Sequence, residues 1–270
     1  MHSNIDTFFA NLWQDYLTIT PSAKKVHDLL GGPNGTQNLI NDHVAFRTFN
    51  IDKINLQKLS EHFIALGYEE KGQYQFAQKK LVAKHFEHAD TTKPKVFISE
   101  LLVEEFSTDV QNIIDKMVSN IADNAAQHNE FLYSGTHWQV TSDEYQTLLD
   151  ASEYAAWMAA WGFRANHFTV SVNHLEHYQV LADVNSQLKQ AGFVLNTSGG
   201  EIKGGPQVHL AQSSTLADKV KVQFADKALL IPSCFYEFAQ RYTLPCGNLY
   251  QGFVAASADK IFESTNATTG

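Results

Sequence analysis

Cysteine is scarce: the 270-residue chain has two, Cys234 and Cys246. Two thiols cannot form the disulfide framework of a small secreted domain, so a reducing, cytoplasmic setting is the simpler expectation. Charge is sparse too. Asp, Glu, Lys and Arg make up 18% of the chain, too little for a disordered or coiled-coil composition. The formal charge is -9 with histidine neutral, and no basic tract stands out, so a nucleic-acid backbone finds no complement. No apolar run approaches the ~20 residues that cross a bilayer. The opening MHSNIDTFFANLWQDYL lacks the basic, apolar and cleavage regions of a secretory leader. Nucleotide-binding G-x-x-x-x-G-K-[ST] and the hydrolase elbow G-x-S-x-G are both missing. These absences predict a cytoplasmic protein with neither a nucleic-acid nor a membrane partner. No pattern fixes its oligomeric state.

What is present is apolar and periodic. Hydrophobic residues are 44% of the chain, enough for a single domain over 1–270 with a sizeable core. Residues 4–30 carry Ile5, Phe8, Phe9, Leu12 and Trp13 at helical spacing. HVAFRTF (43–49) reads as a strand, 56–68 as a helix, 74–87 as paired strands and 96–103 as a buried strand. Residues 107–160 read as a helical insert, with Val110, Ile113, Ile114, Met117, Val118 and Ile121 in one stripe. The first pattern then returns. HFTVSVN (167–173) is a strand, 175–193 a helix and the glycine-rich 199–206 a loop. QVHLAQSS, KVKVQFADK and SCFYEFAQR supply three more strands.

The predicted class is therefore α+β, with duplicated β-α-β-β-β units over about 40–105 and 164–245. Short identities support the duplication. HVAFRTFN lines up with HFTVSVNH, setting His43 on His167. Gly67 follows the first His by 24 residues and Gly192 the second by 25. FISEL lines up with CFYEF, setting Glu100 on Glu237. The His-to-Glu spacing is 57 in one unit and 70 in the other, and the glycine-rich loop is expected to absorb the difference. Such duplicated units resemble the vicinal-oxygen-chelate superfamily, which includes glyoxalase I. The resemblance implies a half-open barrel around a metal held from first and last strands, here His43, Glu100, His167 and Glu237.

Strand residues project rigidly, so two histidines opening equivalent strands can face one cavity. Two imidazoles and one carboxylate leave coordination positions open, the facial set of non-haem Fe(II) oxygenases. A fourth ligand from Glu100 would favour glyoxalase-like Lewis-acid chemistry. The bland alternatives are a structural His, a Glu237 paired with Arg241, and a Glu100 paired across the sheet. Arg47 lies four residues after His43 and shares its face. It can grip a substrate carboxylate with two parallel hydrogen bonds, or pair with Asp42 or Glu100. Arg164 and Arg241 near the other ligands also suggest an anionic substrate. Lys203, Gln212, Ser213 and Ser214 are candidates for a distal carboxylate, with turn-building as the alternative for the loop, and His209 is a candidate to line the cavity and meet substrate. His209 is expected on a strand, while His62, His85, His88, His128, His174 and His177 are expected at the solvated surface. Cys234 reads as a small buried residue.

HVAFRTF, FRANHFTV, GGEIKGGP with the following QSST, FYEFAQRY and GFVAASADKIFEST resemble the DUF1338 family from about His43 to Ser264. Its characterised members are 2-oxoadipate dioxygenase/decarboxylases. The resemblance implies Fe(II) on His43, His167 and Glu237, with Zn, Ni or Mn as alternatives in purified protein. It implies that Arg47 contacts the substrate. The implied reaction converts 2-oxoadipate with O2 to 2-hydroxyglutarate and CO2, in lysine breakdown. Competing readings are a glyoxalase-type lyase or isomerase, a metal-dependent hydrolase, and a metal-free binding protein of this fold.

Overall fold

Successive side chains leave a strand on opposite faces, so a curled sheet gathers one parity inside and the other against its helices. The computed structural model describes residues 2–31 and 39–265. Helices α1 (Ile5–Ile19) and α2 (Pro21–Leu30) come first, and Pro21 opens α2 where its missing N–H is not needed. The first unit is β1 (Asn41–Phe49), α3 (Leu56–Ile64), β2 (Tyr68–Phe76), β3 (Leu81–His88) and β4 (Lys95–Leu101). An insert holds α4 (Thr108–Ser119), α5 (Ser142–Ala151) and α6 (Glu153–Trp161). The second unit is β5 (Ala165–Ser171), α7 (Leu181–Gln190), β6 (Lys203–Gly205), β7 (Leu210–Ser214), β8 (Lys219–Gln223), β9 (Ala228–Pro232) and β10 (Phe235–Arg241). α8 (Ala255–Ile261) follows. No described helix is long and apolar enough to cross a membrane.

Eight strands form one sheet in the order β2-β3-β4-β1-β5-β10-β7-β6. It is two copies of one motif. β1 pairs parallel with β4 as β5 pairs parallel with β10, and the copies join antiparallel at β1 and β5. This is the duplicated half-barrel that the sequence predicts. Even-numbered residues of the central strands face the helices. Phe46 packs on Phe63 of α3, and Phe168 and Tyr236 pack on Trp13 and Tyr16 of α1. Odd-numbered residues line the concave side.

Several boundaries differ from the sequence reading. The insert is not continuously helical: between α4 and α5 the chain makes only short turns at Ala125–Gln127 and Phe131–Tyr133. Ser152 then separates α5 from α6, because its hydroxyl accepts the Ala155 N–H and starts a new helix. The helix expected over 175–193 begins only at Leu181, after an extended Val180. The glycine-rich segment contains β6, paired with β7. The extra length of the second unit lies elsewhere, in β8 and β9. These pair only with each other, as a ribbon apart from the main sheet.

Candidate metal centre

His43 on β1, His167 on β5 and Glu237 on β10 occupy three adjacent central strands and all point to the concave face. All three are buried, and one ligand atom from each lies within 4.8 Å of the others. His167 Nε2 is 3.2 Å from Glu237 Oε2, and His43 Nε2 is 3.6 Å from Glu237 Oε1. The imidazoles meet nearly edge-on, at 85°. An ion with bonds of ~2.1 Å draws its ligand atoms to roughly this spacing.

Neighbours fix how each ligand presents itself. His43 Nδ1 donates to Asp42 Oδ1 at 2.9 Å, and His167 Nδ1 donates to Asn166 Oδ1 at 2.9 Å. Both imidazoles are thereby set in the tautomer that turns an unprotonated Nε2 inward. Thr169 Oγ1, 3.1 Å away, donates to His43 Nε2. Asp42 is held by the fork of Arg241, at 2.7 and 2.9 Å. Burial works to raise the Asp42 carboxyl, but Arg241 and then His43 outweigh it and hold Asp42 ionised well below the usual range. Burial lowers His167 and so favours its neutral, ligating form. Burial likewise works against the Glu237 anion, yet His43 and His167 keep its pKa below the ordinary value. Gln212 Nε2 donates to Glu237 Oε1 at 2.6 Å.

A cation fits this set. Glu237 Oε2 is buried and has no hydrogen-bond partner among the described residues, a costly state for a carboxylate oxygen unless a positive centre sits beside it. Two neutral nitrogens and one carboxylate oxygen are the donor chemistry of a first-row divalent metal.

Glu100 does not belong to the set. His43 pairs across the sheet with Lys95, and His167 pairs with Phe235. Two residues further on, the counterpart of Glu237 is Phe97, so the sequence alignment was displaced by three residues. Glu100 lies on the opposite face of β4, where its Oε2 accepts the Leu56 N–H at 2.7 Å at the start of α3. Phe97 lines the cavity with Phe253, Ala258, Ile261 and Phe262.

Arg47 shares the inner face with His43 and is buried. Its guanidinium donates to Glu153 Oε1 at 3.2 Å and Thr265 Oγ1 at 3.1 Å, and lies over the rings of Tyr154 and Trp157. Its Nε has no partner among the described residues. Lys203 is buried and spends one N–H on Asn196 O at 2.5 Å. Burial lowers its pKa to about 8 despite the attraction of Glu237.

Other predicted contacts fall elsewhere. Arg164 sits three residues before His167 and turns away, to Trp161 O and Asp15 of α1. Arg241 bonds to Asp42 and to the carbonyls of Tyr250 and Gly252, which puts it behind the residue that holds His43. Ser213 faces outward and donates to Asn185 of α7. His209 is not on a strand. It sits in a left-handed turn before β7, with its ring towards Tyr250. His62 and His85 are buried, contrary to the surface expectation. His62 bonds to Ala126 O, and His85 lies between Tyr74 and Glu87. Asp42 and Asn166 were not singled out as supports, although the repeat shows them: each ligand His directly follows a residue with an acceptor oxygen.

A family model described as 2-oxoadipate dioxygenase/decarboxylase matches residues 11–248. The chloroplastic 2-oxoadipate dioxygenase/decarboxylase of Arabidopsis thaliana is 35% identical over 93% of this chain and 74% of its own length. The hydroxyglutarate synthase of Oryza sativa, solved with 2-oxoadipate, is 34% identical, with a TM-score of 0.88 over 96% of this chain and 91% of that one. A Shewanella frigidimarina protein, provisionally described as a hydrolase, is 58% identical, with a TM-score of 0.90 over 95% of this chain and all of that one. By sequence and by fold alike, the chain belongs to the 2-oxoadipate dioxygenase/decarboxylase family.

Proposed function

We propose that this chain is an Fe(II)-dependent dioxygenase/decarboxylase that converts 2-oxoadipate and O2 to 2-hydroxyglutarate and CO2. Both oxygen atoms of O2 are retained in the two products, and one carbon leaves as CO2. The observation that carries the reading is the convergence of His43, His167 and Glu237 with Phe97 where a fourth ligand would stand. Three protein ligands leave room on the metal for a substrate and O2.

His43, His167 and Glu237 would hold the metal, which when bound supplies the redox centre and polarises the 2-oxo acid. The other roles belong to the protein. Asp42 and Asn166 keep each Nε2 lone pair directed inward. Gln212 engages Glu237 Oε1 and leaves Oε2 for the metal. Arg47, with an Nε lacking an acceptor, would orient a substrate carboxylate, which speeds reaction by fixing geometry. Lys203 offers a second cation on the Glu237 side. Phe97, Phe253 and Phe262 exclude water from the reacting centre.

The test is anaerobic reconstitution with Fe(II), addition of 2-oxoadipate, and admission of air while O2 uptake and CO2 release are followed. Turnover is expected in the parent. His43→Ala, His167→Ala and Glu237→Ala are each expected to lose both turnover and bound iron. Parent-like turnover in all three would remove the site from consideration.

A further inference from the structure

The cavity at the three ligands is small, about 20 Å³, or roughly one water-sized sphere. Sites that enclose small organic ligands are typically ~300 Å³ or more. A six-carbon dicarboxylate needs more room at the ligands than this cavity offers, so a wall group must move when it binds.

The walls differ in what presents each group to the cavity. His43, Phe97, His167, Gln212 and Glu237 stand on hydrogen-bonded strands of the main sheet. Phe253 is fixed through its backbone, whose N–H donates to Tyr74 Oη. The remaining wall is α8 and the turn Phe262–Thr265 after it. Its backbone is tied to the second unit, with Asn196 Nδ2 donating to Lys260 O at 3.1 Å and the Ala217 N–H donating to Ser264 O at 3.0 Å, so the movable part is the Phe262 ring, which packs edge-on against Phe76. Phe262 of this segment also lines a second cavity, of about 190 Å³, on its other side. That outer chamber reaches the surface at exposed Gln78 and Ala151 and carries Lys79, Lys80 and Glu153 on its walls. Arg47 stands at the partition, bonded to Glu153 and 5.9 Å from the Phe262 ring.

We propose that the outer chamber is the route by which the 2-oxo dicarboxylate reaches the metal centre, and that Phe262 is the partition that opens to admit it and limits its chain length. The inference rests on the oxo-acid reading above. Lys79, 3.7 Å from Asp259, and Lys80, whose ammonium donates to Glu105 O, flank the mouth, and Arg47 takes the substrate carboxylate as the ring of Phe262 swings aside. When that ring returns, it closes the apolar wall over the reacting centre. Phe262 sets how many methylenes fit between Arg47 and the metal ligands.

Two variants test the route. Ala151→Phe fills the outer chamber from its exposed rim, and Phe262→Ala removes the partition. In the Fe(II) enzyme, Ala151→Phe is expected to lower kcat/KM for 2-oxoadipate about tenfold while kcat and iron content hold. Phe262→Ala is expected to shift the kcat/KM ratio of 2-oxopimelate to 2-oxoadipate towards the longer acid by about tenfold. A second readout needs no turnover: stopped-flow quenching of tryptophan fluorescence as 2-oxoadipate joins the Zn(II)-loaded protein. Association is expected to slow in Ala151→Phe and to quicken in Phe262→Ala. Unchanged kcat/KM in Ala151→Phe, with an unchanged chain-length ratio in Phe262→Ala, overturns the proposal. A parent that binds 2-oxoadipate without consuming O2 overturns the function instead, and the association rates then decide the route alone. A parent that does not bind 2-oxoadipate removes both.

Discussion

The two halves of the sheet share a topology and differ in what they place on the inner face. Both open with a histidine whose Nδ1 is held by the preceding residue. Beyond that they diverge. Where the second half has Glu237, the first has Phe97. Register through the sheet sets Tyr74 of β2 opposite in role to Lys203 of β6. The repeated topology presents a symmetrical pair of imidazoles, while the positions beyond them are polar on one side and apolar on the other. An asymmetric centre has a protein-free side, and that side is where substrate chemistry can occur. Restoring symmetry tests this difference most directly. Phe97→Glu should supply a fourth ligand, raise metal affinity and abolish O2-dependent turnover of the 2-oxo acid. Calorimetric metal titration and an oxygen electrode read the two effects. Retained turnover with a tightened metal would show that the open side is not needed.

The supports of the two histidines differ as well. Asp42 is an anion pinned by the Arg241 fork, whereas Asn166 is a neutral amide with a buried nitrogen that lacks a partner among the described residues. An anionic support makes its imidazole a stronger donor than an amide does. Asp42→Asn should therefore lower metal affinity by about 10–100-fold, and Asn166→Ala by less. Competition against a chelator of known strength measures both. Equal losses would mean that the charge of Asp42 adds nothing.

How much of this could be read from sequence follows from period and register. The two histidines, the late glutamate and Arg47 were legible because motifs surround them and even spacing along a strand fixes a common face. Glu100 misled because local letters, ISEL against FYEF, resemble each other in the wrong register. A slip of three residues moves a side chain to the other face of the sheet. Arg164, at odd spacing from His167, could have been assigned to the outer face by the same parity rule. Ser213 could likewise have been told from Gln212. The ribbon of β8 and β9 reads as two good strands, and nothing in their alternation says that they pair apart from the main sheet. The closing of the cavity by Phe253 and Phe262 was invisible because those contacts join the chain's C-terminal segment to its first unit.

Lys203 and Tyr74 give a finer contrast. Tyr74 is spent on structure, bonded to His85 and to the Phe253 N–H. Among the described residues Lys203 spends one donor, on Asn196 O, and it feels the charge of Glu237. Its pKa is lowered to about 8, so its ammonium is present below that pH and is lost above it. If it assists binding, KM for 2-oxoadipate should rise as pH passes through about 8. Lys203→Met should raise KM about tenfold at lower pH and remove that pH dependence. A KM profile identical in parent and variant would assign Lys203 to packing alone.

The smallest effect is expected at the carboxylate that sequence similarity equated with Glu237. Glu100 accepts one backbone N–H at the start of α3, and burial raises its pKa. Glu100→Ala removes that acceptor and leaves the Leu56 N–H to find water. The cost should be about 1 kcal/mol, a fall in Tm of roughly 2–4 °C. Metal content and turnover should match the parent, because the residue faces α3 and the ligands face the cavity. The same substitution at Glu237 should empty the site. The comparison therefore turns on direction across one sheet: two glutamates in similar apolar runs, one capping a helix outside and one holding a cation within. Loss of metal in Glu100→Ala with the fold intact would place the first-unit carboxylate back inside and undo the register argument.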